Sequence, residues 1–122
     1  MGYDHLLEVG IGQRTDLAHH LADHGCTVTA VDIAPVDVPL GVRFVRADVH
    51  TVDPERFAPV DAVYARRLPP ELHRITYRLA QSLDADLYFT TLGGEFPAID
   101  VDTTSDDNGT IYSIRADESN RI

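Results

Sequence analysis

A chain of 122 residues has room for one domain around a single core, and with 43% of its residues hydrophobic it can fill one. Its 20 acidic residues against 10 basic ones give a formal net charge of -10, which disfavours DNA or RNA as a partner in dilute buffer. One cysteine, Cys26, excludes an intrachain disulfide and a cysteine-rich metal site, and no apolar run approaches the length of a membrane span.

Every basic residue is Arg, because the sequence contains no Lys. At molar salt the screening length shrinks to about 3 Å, so a dense acidic surface stops repelling itself. The expectation is a halophilic protein of a salt-rich cytoplasm, since the first residues also lack a basic segment followed by an apolar one.

The first informative stretch is Leu6-Leu7-Glu8-Val9-Gly10-Ile11-Gly12. An apolar run carrying one acid is followed by two glycines, and Thr15 and Asp16 then open a helix with Leu17 and Leu21 on its apolar stripe and Gly25 at its end. Such a strand, tight turn and helix lets backbone approach a ligand closely, and the helix start favours negative charge. A second apolar run, Val28-Thr29-Ala30-Val31, ends at Asp32, where a ribose hydroxyl pair would be read. Together these features read as a nucleoside-binding half. A dinucleotide fingerprint asks for a third glycine at position 15, which is Thr15, so the NAD(P)-type reading lacks one of its three glycines.

Read as acidic-x-Gly-x-Gly, Glu8-Val9-Gly10-Ile11-Gly12 resembles motif I of the S-adenosylmethionine-dependent methyltransferases. The resemblance implies that Glu8 faces the methionine end of the cofactor and Asp32 its ribose. A further glycine would fall at position 14; the residue there is Arg14, whose guanidinium suits a carboxylate such as that of the methionine part.

Residues 34–41 hold two prolines and a glycine and should not be helical. So short a crossover is expected to leave one face of the sheet poorly covered, which would favour a partner there or a homo-oligomer. Strand three spans 42–47 with Asp48 at its tip, and the methyltransferase resemblance implies that Asp48 reads the adenine amino group. A short helix at 53–57 precedes strand four at 60–65.

The second informative stretch is Ala65-Arg66-Arg67-Leu68-Pro69-Pro70-Glu71-Leu72. Its prolines fit a first helical turn, and Leu72, Ile75, Leu79 and Leu83 follow at helical spacing as a buried face. Arg66 and Arg67 suit either a carboxylate or phosphate clamp or pairing with surface acids, and Glu71 suits a first-turn helix acid. Strand five spans 87–92 and is closed by Gly93-Gly94-Glu95, with Glu95 placed to orient a substrate. Segments 99–103 and 110–114 form a hairpin around Asp106-Asp107-Asn108-Gly109, and 117–122 should fray. His20 and His24 share a helix face but lack further ligands in pattern, so a solvated face is expected rather than a metal site.

Strands alternating with helices give an α/β fold, a Rossmann-like three-layer sandwich of residues 1–122 with a mostly parallel sheet of order 3-2-1-4-5 and a C-terminal hairpin at the edge. Ligands of such sheets bind at the carboxyl ends of the strands, where Glu8, Asp32, Asp48, Arg67 and Glu95 all fall. Four pieces, Leu7-Glu8-Val9-Gly10-Ile11-Gly12, Val31-Asp32-Ile33, Tyr64 with the second stretch, and Thr91-Leu92-Gly93-Gly94-Glu95, are similar to those of a small uncharacterised archaeal family with a truncated methyltransferase-like Rossmann fold. The likeness runs from about Leu6 to Ile114. The family pattern at the second stretch is Tyr-Ser-x-Arg-Pro-Pro-x-Glu, which Arg67 and Glu71 match while Leu68 replaces the first proline.

The resulting expectation is a protein that binds S-adenosylmethionine or S-adenosylhomocysteine through Glu8, Gly10, Gly12, Arg14, Asp32 and Asp48. Arg67, Glu71 and Glu95 are the candidates for a substrate or anion. A methyltransferase of unknown acceptor, small molecule or RNA, stands beside a non-enzymatic Rossmann-like module acting through oligomer or partner contacts.

Overall fold

The first strand, β1 (His5–Val9), is buried on both faces, which is why its sequence shows no polar alternation. Leu7 and Val9 enter one core and Leu6 another. The computed structural model describes residues 2–93 and 95–116. The elements that follow are α1 (Asp16–Asp23), β2 (Thr27–Asp32), β3 (Val42–Arg46), β4 (Ala62–Ala65), α2 (His73–Ser82), β5 (Asp86–Phe89), β6 (Asp102–Asp106) and β7 (Gly109–Ile114). Short 3-10 turns at Pro54–Arg56 and Pro70–Leu72 precede β4 and α2.

The sheet runs β3-β2-β1-β4-β5-β7-β6. Its first five strands are parallel, and β7 lies antiparallel to both β5 and β6. Leu17, Ala18 and Leu21 of α1 cover one face, against Leu6, Val28 and Ala30. Leu79 and Ala80 of α2 cover the other, against Leu7, Val63, Leu87 and Phe89. The expected three-layer α/β sandwich with order 3-2-1-4-5 and an edge hairpin is therefore what forms, and it places every parallel strand's carboxyl end on one rim.

Several local expectations change. Thr15 does stand before α1, but its side chain makes no capping bond. The loop 34–41 is non-helical as expected, yet Val36 and Val38 fold back onto Val28, Ala30 and Val42, so the chain itself packs over β2 and β3 on that side. The face without a helix lies instead over β5 and β7, where Tyr3 packs edge-on to Tyr88 and donates to Asp86, and where Ile111 is 48% exposed.

Strand four starts later than expected because Asp61 is used elsewhere. Its Oδ2 accepts the N–H groups of Asp4 and His5 at 2.7 and 2.8 Å, fastening the start of β1. Those two backbone donors, that of His5 foremost, hold the Asp61 carboxyl below the usual carboxylate range. Strand five stops at Phe89 because Thr90 serves the 66–68 turn: its carbonyl accepts from Leu68 N–H and its Oγ1 from Arg67 N–H, both at 2.8 Å. The hairpin's first strand moves to Asp102–Asp106, since Ile99 and Val101 pack against the α2-side core and Asp106 Oδ1 instead accepts the Asn108 N–H to close the turn. The fraying expected at 117–122 and the glycine at 94 lie outside the described residues.

The inward face of α2 also turns. Leu79 is buried, but the fully buried positions beside it are His73, Thr76 and Ala80, while Leu72, Ile75 and Leu83 are half-buried. His73 explains the rotation: its Nε2–H donates to the Leu68 carbonyl at 2.8 Å and its Nδ1 accepts the Ala98 N–H at 3.0 Å, with the ring 4.7 Å from that of Phe89. One imidazole thus ties α2 to the loop before it and to the segment after β5. His73→Leu is expected to leave both backbone groups unpaired and to lower unfolding free energy by about 2–4 kcal/mol, read as a urea midpoint shift. A midpoint within error of the parent's would show that those bonds contribute nothing.

Candidate functional site

The rim of carboxyl ends is organised by the glycine turn. Gly10 and Gly12 sit at φ 70° and 55°, left-handed values that a side chain resists, and a Cβ built on either would meet no protein atom within 4 Å. The turn is held from β2: Gly10 N–H donates to the Val31 carbonyl at 2.8 Å and Gly12 N–H to Asp32 Oδ2 at 2.9 Å. The other Asp32 oxygen accepts the Ala34 N–H at 3.0 Å. Asp32 thereby fixes the turn and the start of the next loop at once.

On one side of the turn lies a cavity of about 260 Å³ whose walls include Asp32, Ile33, Asp48 and Val49, with Gly10 at its border. It is mainly apolar. Ile33, 66% exposed, stands on its wall and leaves it open on the outer side. Asp48 Oδ1 accepts both the N–H and the ring Nδ1 of His50 at 2.9 Å, and these bonds, the backbone one first, hold its carboxyl below the ordinary range. Oδ2 of Asp48 has no protein partner among the described residues.

On the other side is a recess of about 240 Å³ bordered by Glu8, Gly10, Gly12, Arg14, Arg66 and Arg67. Glu8 is 1% exposed and lies opposite Tyr64 in the β1–β4 ladder, so both side chains share a face and the Tyr64 hydroxyl donates to Oε1 at 2.8 Å. Arg66, two residues beyond Tyr64, shares that face too. Its Nε is 3.8 Å from Glu8 Oε2, and its Nη2 donates to the Arg14 carbonyl at 2.8 Å and to Asp16 Oδ1 at 3.1 Å. Burial pushes the Glu8 carboxyl up, more than Tyr64 and Arg66 pull it down, while the Arg66 bond holds Asp16 low. Burial, followed by the charge of Glu8, also pushes the Tyr64 phenol up.

Gly10 borders both hollows, one on either side of the turn, and together they make a two-part trough. Asp32 and Asp48 meet at one end; Glu8, Gly12 and Arg14 meet at the other, with the Arg67 side chain exposed beside them. Glu71 is exposed and lines neither hollow, and neither does the half-buried Glu95, whose main-chain carbonyl accepts from Thr91 Oγ1. Ile33, Val49 and Tyr64 were not among the sequence candidates; Arg66 entered as either a clamp or a partner of surface acids, and it pairs with Asp16 at the surface and with the buried Glu8. The alternation Tyr64-Ala65-Arg66 was the available signal for Tyr64 and Arg66. His20 and His24 are exposed with rings 4.2 Å apart, and among the described residues no group of three or more His, Cys, Asp or Glu could hold a metal ion. No helix among the described residues is long and apolar enough to cross a membrane.

The fold is that of methyltransferases of known structure. The chain superposes on an RNA methyltransferase from Salinibacter ruber in complex with S-adenosyl-L-homocysteine with a TM-score of 0.62 and 16% identity, over 90% of this chain and 78% of that one. With the Burkholderia thailandensis 1,6-didemethyltoxoflavin-N1-methyltransferase, solved with S-adenosylhomocysteine bound, the TM-score is 0.54 and the identity 22%, over 91% of this chain and 53% of that one. The chain spans about half the length of several of the solved chains it matches. At the level of sequence, a UPF0146 protein of Halobacterium salinarum is 53% identical over 95 residues, 76% of this chain and 72% of that protein. The model of the uncharacterised protein family UPF0146 matches residues 2–117, and the chain belongs to that family.

Proposed function

We propose that the trough binds S-adenosylmethionine or its demethylated product and that the protein transfers the methyl group to an acceptor bound beyond Arg66 and Arg67. The observation that carries this reading is the apolar cavity set between two carboxylates and joined, across an exposed glycine turn, to an arginine-lined recess. Asp32 would take the ribose hydroxyls, Ile33 and Val49 the faces of the purine, and the open Asp48 oxygen its exocyclic amino group. The left-handed glycines leave room for the ligand's middle, and Arg14 would meet the methionine carboxylate. Glu8 acts through Arg66, which straps the turn to β4. When bound, the cofactor supplies an electrophilic methyl on sulfur; the protein's contribution is alignment. A dinucleotide pyrophosphate at the start of α1 would instead meet the Asp16 carboxylate, which weighs against the NAD(P)-type alternative.

A non-enzymatic module is favoured by one observation, that the exposed Ile33 leaves the cavity open on its outer side. Titration calorimetry in molar potassium chloride with S-adenosylmethionine, S-adenosylhomocysteine, NAD and ATP separates the readings. Heat is expected with the first two. Silence with both sinks the proposal, and binding without transfer to any acceptor leaves the module. The salt-rich cytoplasmic setting is part of the same reading, supported by the Lys-free acidic composition and the halobacterial relative.

A further inference from the structure

Past the arginine-lined recess the rim opens into a larger hollow of about 520 Å³. Arg14, Arg66 and Arg67 form its near wall, and Thr91, Thr104 and Thr110 stand on its floor and on the β6–β7 side. Three of the chain's 10 basic residues therefore converge on one hollow of a protein with a net charge of -10. Their charges are not equally committed. Arg66 is offset by Glu8 and Asp16, whereas the guanidinium groups of Arg14 and Arg67 have no carboxylate partner among the described residues. The one carboxylate on the wall, Asp106, already accepts the Asn108 N–H at 2.7 Å.

Arg67 carries a second, independent sign. Its φ is 53°, a left-handed backbone at a residue with a long side chain, held there by its N–H bond to Thr90 Oγ1 and by the Leu68 N–H bond to the Thr90 carbonyl. Glycine would meet that conformation without steric cost, so an arginine there keeps local strain in exchange for a guanidinium at the mouth of the hollow.

We infer that this hollow is the acceptor site and that the acceptor carries a phosphate monoester anchored on Arg67, with Arg14 at the boundary shared with the cofactor's carboxylate. The inference rests on the cofactor reading of the trough, which opens into the hollow through the same three arginines. A phosphate monoester presents about two negative charges and three acceptor oxygens, which match guanidinium forks and threonine hydroxyls better than one carboxylate does. Fork-shaped hydrogen bonding also survives the screening of a salt-rich medium better than a bare point charge would.

The test titrates inorganic phosphate, followed by calorimetry and phosphorus NMR, into the full chain with and without saturating S-adenosylhomocysteine, in molar potassium chloride. Succinate serves as the carboxylate control. Phosphate is expected to bind the loaded protein, to bind more tightly than succinate, and to lose at least about tenfold in affinity in Arg67→Gly. That variant releases the left-handed strain, so its melting temperature should not fall. Phosphate affinity untouched by Arg67→Gly, no phosphate binding, or succinate binding as well as phosphate overturns the site. Phosphate held at Arg67 by a chain that never binds S-adenosylhomocysteine overturns the acceptor role and the cofactor reading together, leaving only an anion site.

Discussion

Asp32→Ala is expected to weaken S-adenosylhomocysteine binding by at least about a hundredfold and to lower unfolding free energy by about 1–2 kcal/mol. The large effect on binding follows from the double duty of this carboxylate. It would face the ribose hydroxyls, and it already accepts the N–H groups of Gly12 and Ala34, one on each oxygen. Removing it deletes the ligand contact and also unfastens the turn that shapes the middle of the trough. Asp32→Asn should rescue little, because its amide nitrogen would point at one of the two backbone donors. Calorimetry reads the affinity, and urea unfolding separates it from the stability loss. An affinity within about tenfold of the parent's would remove Asp32 from the cofactor contact.

Arg66→Ala is expected to cost about 3 kcal/mol of stability at neutral pH and much less in acid. Glu8 is almost wholly out of water, and its partners are the Tyr64 hydroxyl and the Arg66 guanidinium. Without Arg66 the buried charge keeps one hydrogen bond and no counter-charge, and the group escapes by taking a proton. Burial already raises the Glu8 carboxyl above its ordinary value, so the folded protein holds this proton where the unfolded chain has released it. The corresponding stabilisation is complete below the unfolded value and is lost as pH rises through the folded one. Arg66→Ala pushes the folded value higher and widens that window. Urea midpoints from about pH 4 to about pH 8 should therefore fall more steeply with rising pH in the variant. Glu8→Gln combined with Arg66→Ala should recover most of the neutral-pH loss. An equal loss across the range would mean that Arg66 acts through Asp16 and the Arg14 carbonyl instead.

Local signals carried much of the fold. The apolar runs, the paired glycines and the helical spacing after Pro70 depend on neighbours in sequence, and they give the order of the strands, the turn and α2, while the ends of β4, β5 and β6 shift. Asp32 and Asp48 could be placed at strand tips for the same reason. What was illegible depends on partners far along the chain. An acid within an apolar run does not announce that its hydroxyl partner stands 56 residues later. Leu72, Ile75, Leu79 and Leu83 mark a helix face, but nothing near His73 in sequence announces that two backbone groups on separate loops converge on its ring and draw it inside. Val36 and Val38 looked like loop residues until the sheet beneath them supplied an apolar surface. Glu95 was placed by assuming that β5 continued to Leu92; with the strand ending at Phe89 the chain leaves the rim before it reaches that acid.

The outermost strand, β6, is exposed along its whole length and ends in an aspartate on either side. An unpaired edge offers a row of backbone donors and acceptors to any passing strand, and proteins commonly blunt such edges with charge. Here the guard is two carboxylates, Asp102 and Asp106, whose reach is the ionic atmosphere around them. In fresh water they would hold a second copy's edge away. In brine that repulsion fades within a few ångströms, and what discourages sheet-to-sheet annealing is the twist and shortness of a five-residue ribbon.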